Sequence, residues 1–169
     1  MTPFNAVVVA WTLVISGPAA ACQHLTQHFE LCDEGTPWAT GEWVNGGDSA
    51  ALYVDDVQFE GFEDYASRDT SRPIAGDLRR ILARHRDAIE ARHGTDRFHT
   101  GTLRVVRSTD TRLEYDGSSE LRVLMIGEAG GERLLMTVKA RPDMALEEMD
   151  RLSRAWAGMI QPKTQQAGN

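Results

Sequence analysis

The chain has 169 residues, 41% hydrophobic and 25% charged, with a formal net charge of −7. That balance excludes a disordered, collagenous or polytopic membrane protein. The acidic excess also argues against a nucleic-acid partner, whose footprint is basic.

Residues 1–21 carry no Asp, Glu, Lys or Arg. An apolar run from Ala6 to Ile15 leads to Ser16, the helix-breaking Gly17-Pro18, and Ala19-Ala20-Ala21. This pattern predicts the apolar core and A-x-A cleavage site of a secretory signal peptide, although no Lys or Arg precedes the run. The run is too short for a membrane span, which needs about 20 residues. Cleavage after Ala21 leaves 148 residues with the same charge. A chain of that size buries about 68–70% of its unfolded surface, enough for one core. The expected organisation is a signal peptide at 1–21, a single domain at 22–162 and a disordered polar tail at 163–169.

Cys22 then opens the mature chain, and two readings compete. In one, Cys22 and Cys32 form a disulfide, as an oxidising periplasm permits. In the other, Cys22 is the lipid-bearing residue of a lipoprotein. The stretch Ala19-Ala20-Ala21-Cys22 lacks the large aliphatic residue of such a motif, and the only other cysteine lies ten residues away. The disulfide is therefore preferred. No C-x-x-C pair occurs, so thiol redox chemistry is not expected.

Along the mature chain, Gln27–Cys32 and Gly41–Val44 read as short strands. The turn cluster Asn45-Gly46-Gly47-Asp48 joins the second to Ala50–Val54 in a hairpin. Val57–Phe62 extends or repeats that strand. A helix is expected between Ser71 and Arg92, because Leu78, Ile81, Leu82, His85 and Ile89 form one stripe and Gly94 supplies the stop. Four strands follow: Phe98–Arg107, Arg112–Tyr115, Glu120–Ile126 and Arg133–Ala140. They are separated by Ser108-Thr109-Asp110, by Asp116-Gly117 and by Gly130-Gly131. Turns that tight join antiparallel neighbours. Asp143 is the expected N-cap of a last helix with Leu146, Met149, Leu152, Trp156 and Ile160 on its apolar stripe, stopped by Pro162. The sum is an α+β domain: an early hairpin plus a four-strand meander, packed by two main helices.

Charge divides the chain. Residues 22–67 hold ten acids and no Lys or Arg, residues 68–107 balance at +5, and residues 108–169 at −2. The opposed segments are expected to pack against or shield one another.

No G-x-S-x-G, H-E-x-x-H, P-loop or G-x-G-x-x-G motif occurs, so no catalytic residue is assigned. A metal site from His93, His99 and Asp96, or calcium on Asp55, Asp56, Glu60, Glu63 and Asp64, lacks a supporting ligand spacing. No metal or cofactor is expected. Seven of the twelve aromatics (Phe29, Trp38, Trp43, Tyr53, Phe59, Phe62, Tyr65) fall in the acidic segment. Most belong in a core, but Trp38 and Trp43 with Asp55 and Asp56 could instead meet a cationic ligand. Arg79, Arg80, Arg84 and Arg86 on the helix back could meet an anionic surface, with Arg80 and Arg84 as the candidate contacts.

This order of elements resembles the PsbP-like fold, shared by photosystem-associated lumen proteins, a Ran-binding import factor and DcrB-type envelope proteins. The resemblance rests on early short strands with Gly35-Thr36-Pro37-Trp38, a helix at 76–92, a meander at 98–140 and a helix at 143–160. It implies a non-enzymatic accessory role and carries over no functional residue. The reading is a small, monomeric, periplasmic or secreted binding protein of a Gram-negative bacterium, sixteen Arg against two Lys suiting a GC-rich genome. Its partner would be an envelope protein or a cationic ligand, with membrane contact only if Cys22 is lipidated. The alternatives are a secreted hydrolase, which requires a deep pocket pairing a His with a carboxylate, and the Cys22-anchored lipoprotein.

Overall fold

Alternating side chains build a sheet that is apolar on both faces at its centre. The computed structural model describes residues 22–32, 36–46, 49–62 and 71–163; the signal-peptide reading and the tail beyond Lys163 lie outside them. Seven antiparallel strands form the main sheet: β3 (Glu42–Asn45), β4 (Ser49–Val54), β5 (Val57–Phe62), β6 (Ile89–His99), β7 (Arg104–Leu113), β8 (Ser119–Ala129) and β9 (Glu132–Ala140). Their spatial order is β3-β4-β5-β9-β8-β7-β6. Two meanders therefore meet where β5 pairs with β9, Phe59 opposite Val138. The α+β expectation and the hairpin-plus-meander arrangement stand.

Each face of the sheet has its own cover. Leu121, Val123 and Met125 of β8, with Leu134, Met136 and Val138 of β9, point to one side. There they meet helix α2 (Leu146–Met159) and a small sheet of β1 (Gln23–His24), β2 (Phe29–Leu31) and β10 (Ile160–Pro162). Trp156 is fully buried, its ring 5.2 Å from that of Phe59. Leu25 follows β1 and packs onto β5 at Gly61, where an added Cβ would lie 2.9 Å from its Cδ1. The opposite face presents Val106, Leu124, Ile126 and Leu135 to helix α1 (Ile74–Arg84), which contributes Leu78, Ile81 and Leu82. Partial coverage of the second face explains the apolar residues at both parities in β8 and β9.

The Cys22–Cys32 disulfide is formed. It closes the β1–β2 hairpin, which is in turn paired with β10, so both ends of the domain are tied together. Lys163 belongs to this tie and not to a loose tail: its N–H donates to the His28 carbonyl at 2.8 Å, and its Nζ donates to the Thr26 carbonyl.

Several boundaries differ from the sequence expectation. Helix α1 stops at Arg84 and not at Arg92; a short 3-10 turn (Arg86–Ala88) follows, and Ile89 already begins β6. Gly94 is consequently no helix stop. It sits in β6 at φ 151°, beside a register shift against β7 between Arg92 and Gly94. The expected strand Phe98–Arg107 spans a real turn at Thr100–Leu103, where the Thr100 hydroxyl accepts from the Leu103 N–H at 2.9 Å. The expected turn Ser108-Thr109-Asp110 is the middle of β7. Ala145, not Asp143, is the N-cap of α2, and the helix has given way to β10 before Pro162.

The acidic and basic segments share both cores, Phe62 packing on the α1 cluster, but their charged strands lie apart. The acidic β3–β5 occupy one end of the sheet; at the other lie the basic β7 and, at the edge, β6, whose Arg92 and Arg97 balance Glu90 and Asp96, with β9 and β8 between the two ends. Arg80, Arg86, Arg104 and Arg107 pair with acids of their own segment or of the C-terminal one, not with those of 22–67. Glu60 and Asp56 pair instead with Lys139 and Arg141.

Candidate functional site

Sixteen arginines make the pairing of guanidinium groups the most informative feature of the surface. From Arg104 onward every arginine has a carboxylate: Arg104 with Glu128, Arg107 with Asp96 and Asp150, Arg112 with Asp110, and Arg122 with Glu114 and Glu120. Arg133 holds Asp77 and Glu128, Arg141 lies near Asp56 and Asp143, Arg151 holds Glu148, and Arg154 holds Asp150 and Asp96. Arg79 and Arg84 of α1, and Arg92 and Arg97 of β6, have no such partner among the described residues and are exposed. Arg86 meets only the fully solvated Asp87, a contact of about 0–1 kcal/mol. α1 and β6 thus carry four guanidinium groups without a carboxylate partner among the described residues, on a protein of net charge −7.

Depressions flank both faces of the sheet's edge strand. β6 is the last strand of the sheet, and three depressions run along it. A cleft of about 420 Å³ lies between the start of α1 (Ser71–Ala75) and the β6–β7 turn, lined by Arg97, Phe98, His99, Arg104, Glu128 and Arg133. A groove of about 190 Å³ follows α1, with Arg79 and Arg97 above a floor of Ala75, Leu78, Leu82 and Val106. A third, of about 240 Å³, opens toward α2 between His93, Thr95, Asp96, Thr109 and Leu146.

Buried ion pairs tie the α1 side to the sheet. Arg133, with its side chain 2% exposed, donates from Nη1 to Asp77 Oδ2 at 2.6 Å and from Nε to Glu128 at 2.8 Å, and from Nη2 to the Arg72 carbonyl. That network joins the first turn of α1 to β8 and β9. Burial would push the Glu128 carboxyl upward, but the hydrogen bonds from Arg133 and Arg104 outweigh it and leave it below the ordinary range. Asp150 is depressed in the same way by Arg154 and Arg107 against its own desolvation. Near the other end of α1, desolvation lowers the His85 pKa, reinforced by the charges of Arg112, Arg122 and Arg84.

A hydrolase of this kind would pair a histidine with a carboxylate in a deep pocket. His28 lies 3.8 Å from Glu132 with both side chains well exposed, His93 bonds the Thr111 hydroxyl, and His24 contacts Lys163. None is paired with a carboxylate within a deep pocket. The grouping Cys22, Glu30 and Cys32 offers no thiolate ligand, because the two sulfurs are joined. The same bond occupies the sulfur that a lipid would need. Among the described residues no helix is long and apolar enough to cross a membrane.

The other sequence candidates do not form one site. Trp43, half-buried on β3, packs against the core on the α2 side. Asp55 and Asp56 make the β4–β5 turn, Asp55 at φ 51°, a conformation that Asp tolerates better than most residues. Trp38 lies on a short 3-10 segment (Pro37–Thr40), with its side chain outside the described set. Arg80 donates to Asp77 at 3.0 Å, while Arg84 belongs to the unpaired group. Arg92 and Arg97 escape a sequence reading because the helical stripe runs on through Ile89 and Gly94 marks a stop, which hides β6. The +5 balance of 68–107 was the available pointer.

No family model matches the chain, and no curated protein does. Solved structures do. A Pseudomonas aeruginosa protein of unknown function, PA94, described as a candidate regulator, superposes with a TM-score of 0.50 at 12% identity, over 74% of this chain and 99% of its own. A Bacteroides thetaiotaomicron protein gives 0.51 at 15% identity over 81% of this chain, which spans only 46% of that larger protein. LpqN of Mycobacterium tuberculosis, involved in cell envelope biogenesis, gives 0.38 at 10% identity over 78% of this chain and 88% of its own. The first two show a shared fold. At such identities they show nothing more.

Proposed function

We propose that this chain is a small, non-catalytic accessory protein of the bacterial periplasm, PsbP-like in topology, that binds an envelope partner through the α1–β6 side. The disulfide suits an oxidising compartment. The observation that carries the binding reading is the segregation of unpaired guanidinium groups. Eight arginines from Arg104 onward are neutralised locally, whereas Arg79, Arg84, Arg92 and Arg97, on α1 and β6, have no carboxylate partner among the described residues, and Arg79 and Arg97 line the α1 groove. Such a surface attracts and orients an acidic partner over about a Debye length, roughly 8–10 Å in physiological salt.

Affinity capture from the organism's own periplasm tests the reading, comparing the wild type with Arg84→Glu/Arg97→Glu and with Trp38→Ala/Trp43→Ala. Charge reversal is expected to abolish recovery of the partner while the tryptophan variant retains it. The opposite pattern would transfer the binding face to the acidic, aromatic end of the sheet.

A further inference from the structure

We infer that the outer edge of β6, over Thr95–His99, is a strand-addition site for an extended segment in which acidic residues alternate with neutral ones. This rests on the α1–β6 side being the binding face, and says how that face reads its partner.

Three features converge on the edge. First, the irregularities of β6 are confined to its beginning. Register shifts against β7 fall at Ile89/Ala91 and Arg92/Gly94, while from Thr95 opposite Ser108 to His99 opposite Arg104 the ladder is regular. Bulges commonly guard sheet edges against added strands. Here they leave a regular segment exposed, and no described strand pairs with its outer side.

Second, the two faces of that segment differ in charge. Arg97 lies opposite Val106, which packs beneath α1, so Thr95, Arg97 and His99 face the α1 side. Asp96 and Phe98 face α2, where Asp96 bonds Arg107 and Arg154 and the Phe98 ring lies under the same two guanidinium groups. A residue directly opposite on an added strand places its Cβ about 4.5–5.5 Å from its neighbour's and on the same face. Carboxylates opposite Thr95, Arg97 and His99 would therefore reach Arg97 and Arg79. A carboxylate opposite Asp96 would meet a like charge.

Third, grooves stand ready on both sides of the edge to take alternate side chains, the α1 one bracketed by Arg79 and Arg97 and the α2 one bordered by Leu146. In such additions main-chain hydrogen bonds supply affinity and flanking pockets supply selectivity. Charge complementarity thus selects an acid–neutral–acid pattern and also its register.

The full-length protein can be titrated into a fluorescent peptide alternating glutamate with threonine. Comparators are a peptide of the same composition with the glutamates in one block, a lysine–threonine alternation, and the acidic peptide N-methylated at every second residue, in each of the two frames. The alternating acidic peptide is expected to bind and to slow amide exchange within Thr95–His99. The block peptide, the lysine peptide, one N-methylated frame and Arg97→Glu protein should each weaken binding by about tenfold or more. Arg97 is exposed, so its reversal should leave the fold intact. Binding that is lost with Arg97→Glu but indifferent to N-methylation and to pattern would refute strand addition and leave the arginine face standing. Binding indifferent to Arg97→Glu and Arg79→Glu would overturn both. Absence of binding by the alternating peptide, or preference for phosphatidylglycerol vesicles over it, would also refute the proposal.

Discussion

Asp77→Ala tests what fixes α1, and hence Arg79 and Arg84, to the sheet. Asp77 is 2% exposed, and its two oxygens serve different partners. Oδ1 accepts from Arg80, whose side chain is 42% exposed, a contact worth about 0–1 kcal/mol. Oδ2 accepts at 2.6 Å from Arg133, itself buried in the core side of β9. Removing one partner of a buried pair costs about 3–5 kcal/mol, because the other charge stays buried without compensation. Arg133 keeps Glu128 on Nε and Nη2, which places the expected loss at the lower end, about 3 kcal/mol. Urea unfolding followed by tryptophan fluorescence should show the midpoint falling with the slope unchanged. Introducing Arg133→Met into an Asp77→Leu background should recover part of the loss, since an apolar pair replaces a half-broken ionic one. A loss under about 0.5 kcal/mol for Asp77→Ala would mean the pair is solvated and the reasoning is wrong.

Three further outcomes are expected. Cys32→Ser opens a ten-residue separation, for which loop-closure entropy gives about 2.8 kcal/mol, readable as a lower urea midpoint that matches the reduced wild type. Glu128 and Asp150 have folded pKa values held below the ordinary range, so their stabilisation is complete above the unfolded values and is lost as pH falls through the folded ones. Urea midpoints should therefore drop on acidification below the ordinary carboxylate range, and Glu128→Gln should flatten that drop. His85 should titrate below an ordinary histidine by NMR, and Arg84→Gln should move it upward by removing one of the charges that depress it. Its lowered value contributes stability that is present above the unfolded histidine pKa and lost as pH falls through the folded one.

The sheet's centre and the two faces of β8 and β9 were legible because period-two alternation is strong where both faces are buried. The α1 boundary was not, and Ile89 shows why. It packs with Leu78, Ile81 and Leu82 as the stripe implies, but reaches that cluster from the first position of β6. The helical spacing correctly predicted a shared core and misassigned the element. Ser108 and Asp110 looked like a turn because they are polar, yet they are 3% and 0% exposed. Asp110 is satisfied by Arg112 two residues on, which no local pattern announces. The candidate binding face stayed hidden for a related reason. Whether an arginine is neutralised depends on carboxylates brought close by folding, such as Asp77 to Arg133 across 56 positions of chain.

The separation of acidic β3–β5 from basic α1 and β7 has a practical consequence at the bench. Net charge predicts that a protein at −7 passes through a cation-exchange column at neutral pH. A resin, however, meets one side of a molecule at a time. With Arg79, Arg84, Arg92 and Arg97 on α1 and β6 and without carboxylate partners among the described residues, this protein should be retained in low salt against its own sign and adsorb to an anion exchanger by its other end. It would elute from each in an orientation that its isoelectric point conceals.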